Sequence, residues 1–143
     1  MKPMDKIYSK KQSFPKIKKT TPEEFDAFWD KMVKKSPDEK GKGFVMQSIL
    51  GREVWFPRRL KQHLQKRNDV ATSMVETLTK PDEVFTQYVD GFLQTSYIKY
   101  FQDYPYVLVE SERNKLLQIK TFHPMDKSGS VDKKRKGILM YKK

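Results

Sequence analysis

The chain has no cysteine, two histidines and six glycines in 143 residues. The missing cysteine excludes disulfides, thiolate zinc sites, iron–sulfur clusters and cysteine nucleophiles together. Two histidines without thiolate partners make a zinc centre improbable. Six glycines leave little room for a dinucleotide-binding turn. No glycine-rich phosphate loop, Gly-x-Ser-x-Gly, HExxH or EF-hand loop is present. No apolar run reaches the roughly 18 residues of a membrane span. The Lys-rich N-terminus lacks the apolar stretch of a secretory signal and is not read as one.

Aromatic residues make up 13% of the chain, which argues for a packed core rather than disorder. The formal net charge is +12. Residues 1–19 hold seven Lys against Asp5, and residues 127–143 hold six Lys and Arg135 against Asp132. Each end therefore carries a surplus of six, and the stretch between is neutral. Within that stretch Arg58, Arg59, Lys61, Lys66 and Arg67 gather with no acid among them. Such a distribution favours polyanions. Lys-rich ends are also common as solubilising tails.

Residues 1–20 read as a basic flexible arm, and 21–42 as an N-terminal helix and linker. Thr21-Pro22-Glu23-Glu24 opens that helix, and Phe25, Phe28, Trp29, Met32 and Val33 give it helical apolar spacing. The rest, 43–143, reads as the main domain. A short hairpin is expected over 43–56, a helix over 58–67 with Leu60 and Leu64 inward, and another over 69–79. From Pro81 the pattern turns to strands: 83–89, 92–101, 106–110, 115–122 and 137–141. Their short connections predict antiparallel pairing. The expected fold class is α+β, with N-terminal helices packed on a four- to five-stranded antiparallel sheet. The stretch 124–137 is expected to be a connecting loop.

His, Lys, Arg, Thr and Tyr side chains in the second helix and the strands suit one reaction well. The 2′-hydroxyl of RNA attacks its own neighbouring phosphate. The protein then supplies a proton acceptor, a proton donor and cations around phosphorus. It needs neither a nucleophile nor a cofactor of its own. A histidine can serve as either proton carrier, and His63 is a candidate, with a half-buried structural histidine as the plainer reading of it. Arg59 and Arg67 flank it at i−4 and i+4, with Lys66 at i+3.

Several segments occur in a telling order. Gly51–Phe56 is followed by Arg58-Arg59-Leu60-Lys61-Gln62-His63-Leu64. Then come Thr77–Val84, Tyr97-Ile98-Lys99-Tyr100, Val107–Glu110, Leu117–Phe122 and Gly137–Tyr141. This succession resembles the BECR nucleases (barnase, EndoU, the colicin tRNases and RelE), and among them the phage-associated members, over about residues 43–141. Such domains occur in phage head-morphogenesis proteins, prophage genes and toxins. The resemblance implies a metal-independent endoribonuclease with His63 as acid–base residue and Thr121 and Lys99 facing the phosphate from neighbouring strands. It also puts Tyr141 or Arg135 near the rim; Arg59, Lys66, Arg67, Tyr97 and Lys120 are further candidates for phosphate or RNA contact by their own charge or ring, with a solvated strand face the plainer reading of Lys120. Thr121 is expected in step with Leu117 and Ile119, and Lys120 on the opposite face.

The expected partner is RNA, with an antitoxin, immunity protein or phage structural protein as a further contact. No metal, cofactor or membrane is called for. The expected setting is a bacterial cytoplasm, or a target cell into which the chain is delivered. Two alternatives stay open. One is a phage-associated module that binds nucleic acid or protein without turnover. The other is a Mg²⁺-dependent nuclease in which Pro81-Asp82 and Gln118-Ile119-Lys120 imitate a PD-(D/E)xK pattern.

Overall fold

The computed structural model describes residues 2–125 and 128–143. Its elements in chain order are α1 (Met4–Tyr8), α2 (Pro22–Lys35), β1 (Phe44–Gln47), β2 (Glu53–Phe56), α3 (Arg58–Leu64) and α4 (Thr72–Thr79). There follow β3 (Glu83–Val89), β4 (Phe92–Tyr100), β5 (Pro105–Arg113), β6 (Leu116–Pro124), α5 (Ser128–Lys134) and β7 (Ile138–Lys142). The α+β class stands. The sheet is larger than expected, with seven strands ordered β1-β2-β6-β5-β4-β3-β7. The hairpin joins it because β2 pairs with β6 through Trp55 and Gln118, and this pair is parallel. Antiparallel pairing holds for the chain neighbours β3 to β6. β2 and β6 are separated by two helices and three strands, which is ample length for a parallel return.

α2 starts where the sequence indicates. Thr21 and Glu24 exchange hydrogen bonds in a capping box, and Pro22 holds the first helical position. Phe25 and Trp29 lie on its buried face. Asp38 then ties the linker to the hairpin. Its carboxylate accepts from the Lys42 and Gly43 amides and from Trp55 Nε1 at 2.9 Å. Gly43 has to be glycine here, since a Cβ would run into the Phe56 carbonyl and the Asp38 carboxylate. Phe44 and Phe56 stack with ring centres 4.5 Å apart.

The sheet carries a core on each face. On the first, α2, α3 and α4 bury Phe25, Trp29, Leu60, Leu64 and Leu78 against Val84, Tyr97, Leu108, Ile119 and Phe122. On the second, Phe85, Ile98, Val107 and Val109 pack with Met4, Tyr100 and Val131. The expected arm thus supplies part of the second core. Met4 is buried, Ile7, Tyr8 and Phe14 pack beside it, and Tyr8 donates its hydroxyl hydrogen to the Phe101 carbonyl at 2.8 Å. Apolar residues scattered among lysines are enough to seat the arm, because the charged heads stay in water.

Two helix boundaries shift. α3 closes at Leu64 rather than 67, and α4 begins at Thr72 rather than 69 because Ala71 sits at φ 94°, outside helical space. The stretch expected as a loop over 124–137 contains α5; its residues 126–127 lie outside the described residues.

Candidate active site

β2 ends at Phe56 while β6 continues, so α3 takes the vacated place along the β6 edge. Leu60 and Leu64 anchor α3 in the first core. At one end Arg59 Nη2 donates to Gln118 Oε1 at 2.8 Å; at the other, Arg67 Nη1 donates to the Phe122 carbonyl. Arg67 lies three residues beyond the end of α3, so these two bonds tie both the helix and the chain that follows it to β6. His63 and Lys120 line one groove.

Between them lies a groove of about 490 Å³. α3 lines it with Arg59, Leu60, Gln62 and His63, and β5 and β6 line it with Ser111, Arg113, Gln118 and Lys120. The lining holds three cations and one imidazole, and no carboxylate. His63 and Lys120 are both exposed there. Such a wall attracts an anion and leaves it able to shed its water.

A bulge sets the facing of the strand residues. Val109 pairs with Thr121, but Glu110 pairs with Ile119, so Lys120 is the extra residue. Strict alternation would keep Thr121 with Leu117 and Ile119 and set it opposite Lys120. The slip breaks that pattern. Ile119 and Phe122 remain in the first core, while Gln118 and Thr121, three residues apart, both pair with residues of the second face. His123 follows on that face opposite Val107, its Nδ1 3.4 Å from Thr121 Oγ1. Burial, then the Lys134 and Arg67 charges, push the His123 imidazole below its ordinary pKa. Burial, then Lys120, likewise lower Lys134. The second face of β6 therefore presents Gln118, Lys120, Thr121 and His123 in sequence, with α3 on one side and Lys134 of α5 near the other end.

The expected site residues fall into two groups. His63, Arg59 and Lys120 share the groove, and Thr121 continues its strand face. Lys66 is exposed just past α3. Arg67 adjoins the site but is already engaged: it pairs with Asp69 at 3.0 Å, and Asp69 also accepts from the Tyr106 hydroxyl at 2.6 Å. Burial opposes the Asp69 charge, yet these two partners hold its carboxyl below the usual range.

The other four sit elsewhere. Lys99 is 9% exposed on the first face and donates to the Lys80 carbonyl at 2.9 Å. There it neutralises the C-terminal end of α4, which its aromatic neighbours in the sequence did not reveal. Tyr97 is fully buried on the same face and donates to Glu110 Oε1 at 2.7 Å. Arg135 is 2% exposed and is bound to Glu83, Asp132 and the Lys2 carbonyl. Tyr141 is half-buried against the first core from β7. Four strand spacings, about 19 Å, separate β7 from β6.

The metal-nuclease pattern is not assembled either. Asp82, at the start of β3, binds the Tyr100 amide at 2.7 Å. β4 and β5 lie between β3 and β6, so about 14 Å of sheet separates the two strands. Among the described residues no three His, Asp or Glu side chains gather as a metal site.

Gln62, Ser111 and Arg113 entered the groove unannounced. Glu112–Asn114 reads as a turn, yet β5 runs on to Arg113. The turn itself is the pair Asn114–Lys115, with φ of 52° and 64°. Asn at the first position of a two-residue hairpin was the signal that fixed it.

A family model, phage-Barnase-EndoU-ColicinE5/D-RelE like nuclease2, matches residues 30–142. The chain belongs to this nuclease family. The match begins within α2, earlier than the 43 expected, and leaves the N-terminal segment up to residue 29 outside it. No curated protein and no solved structure matches the chain. No helix among the described residues is long and apolar enough to cross a membrane.

Proposed function

We propose that this member of the phage-associated BECR-like nucleases is an endoribonuclease that works without a metal ion, inside a bacterial cell. The observation that carries the reading is the imidazole of His63 set in a groove with Arg59, Arg113 and Lys120 and no lining carboxylate. The scissile phosphate binds among these three cations. The 2′-hydroxyl attacks the adjacent phosphorus, forming the O2′–P bond as the P–O5′ bond breaks. One proton leaves the 2′-oxygen and one reaches the 5′-oxygen, giving a 2′,3′-cyclic phosphate and a 5′-hydroxyl end. His63 carries one of these protons. His123, kept neutral by burial and by Lys134 and Arg67, with Thr121 at its Nδ1, supplies the other proton site. The groove cations stabilise charge that grows on the phosphorane oxygens.

Single-stranded RNA incubated with the protein in EDTA tests this. Cleavage should persist and leave cyclic phosphate ends. His63→Ala should lose roughly 10²–10⁴ of the rate while binding the RNA as before. Strict dependence on Mg²⁺, or a His63→Ala protein as active as the parent, would remove the reading.

A further inference from the structure

Beyond His63 and Lys120 the second face continues toward the tight turns that join β3 to β4 and β5 to β6. Phe92 of β4 and Arg113 of β5 lie side by side there, with the guanidinium 4.8 Å from the ring centre. Arg113 also lines the groove and holds Phe92 at its border. Phe92 remains 45% exposed and Leu116, paired with Arg113 across the β5–β6 turn, 49% exposed. One step inward, Gln94, Ser111 and Gln118 form a row across the three strands.

A guanidinium laid on a phenyl ring is a flat, cationic, partly apolar surface. Its chemistry matches an unpaired nucleobase, which needs a face to stack on, with a phosphate beside it. A duplex keeps its bases stacked inside and offers this surface nothing. We infer that the Phe92–Arg113 end of the groove is a stacking subsite for one unpaired base of the RNA strand, with Ser111 and Gln118 at the base edge. The inference rests on the nuclease reading for the identity of the ligand. It makes the tighter binding depend on an unpaired base next to the cut.

The test is binding of a single-stranded RNA fully 2′-O-methylated, so that no cleavage can occur, followed by fluorescence anisotropy with the full chain. Phe92→Ala and Phe92→Leu should each weaken binding about tenfold, as expected for losing one stacked base. Phe92→Tyr should bind like the parent, since it keeps the flat ring. A blunt RNA duplex should bind all four proteins alike. Equal single-strand affinity across the set, or an equal loss on the duplex, overturns the subsite. The readout needs no turnover. A His63→Ala protein that still cleaves would therefore sink the catalytic reading without touching this one, and equal affinities would sink this one alone.

Discussion

Arg135→Met should cost the protein a large share of its stability and leave RNA binding intact. The guanidinium is 2% exposed. Its Nε and Nη2 donate to Glu83 at 2.8 and 3.1 Å, and its Nη1 to the Lys2 carbonyl at 2.7 Å and to Asp132 at 3.2 Å. Tyr100 donates its hydroxyl hydrogen to the same Glu83 carboxylate, and burial together with that bond pushes the phenol well above its ordinary pKa. Burial opposes the arginine charge, but Glu83 outweighs it and keeps the group ionised. Removing the cation strands a buried carboxylate and frees the N-terminal segment from α5. The cost of breaking such a pair is about 3–5 kcal/mol. For a chain of this size that is a fall in melting temperature of roughly 10–15 °C. Thermal unfolding followed by circular dichroism reads it directly. The double variant Glu83→Gln/Arg135→Met should recover part of the loss, because the stranded charge is gone. A single variant that melts like the parent but binds methylated RNA more weakly would refute the argument and return Arg135 to the nucleic-acid surface.

Lys99→Met should leave the cleavage rate unchanged and cost about 1–2 kcal/mol in urea unfolding, since the ammonium serves the Lys80 carbonyl and the end of α4. Lys120→Ala should weaken binding of methylated RNA and flatten the plot of log affinity against log salt by about one unit, one phosphate contact being lost. His123 has its folded pKa below the ordinary 6.5, so between the two values the unfolded chain binds more protons than the folded one. Its contribution is intact above pH 6.5 and is lost as pH falls toward the folded value; His123→Gln should remove that part of the acid-side decline in stability.

How far the residues spoke for themselves varied with the range of the interaction. Local order was readable. Thr21-Pro22-Glu23-Glu24 marked the start of α2, and every strand of the β3–β6 meander fell close to its expected limits. Caps, turns and alternation act within a few residues, so they are written in short words of sequence. The nuclease family was readable for a related reason: its signature is the order of such words. Lys99, Tyr97 and Arg135 each lie in a stretch that suits a solvent-facing phosphate binder. Only the opposing groups, the Lys80 carbonyl, Glu110 and Glu83, show that each is turned inward.

The chain by itself determined an α+β fold, a soft basic surface at both ends and one helix bearing a histidine among cations. Tertiary structure decided the rest. It paired β2 with β6 across 59 residues of intervening chain, and so cleared the β6 edge for α3. It inserted one residue at Lys120, which set Thr121 and His123 on the same sheet face as Gln118. It also turned the basic N-terminal segment into core. The physical reason is common to all three. Which partner a strand edge, a bulge or an apolar side chain finds depends on distant parts of the chain arriving there, and no local pattern encodes that arrival.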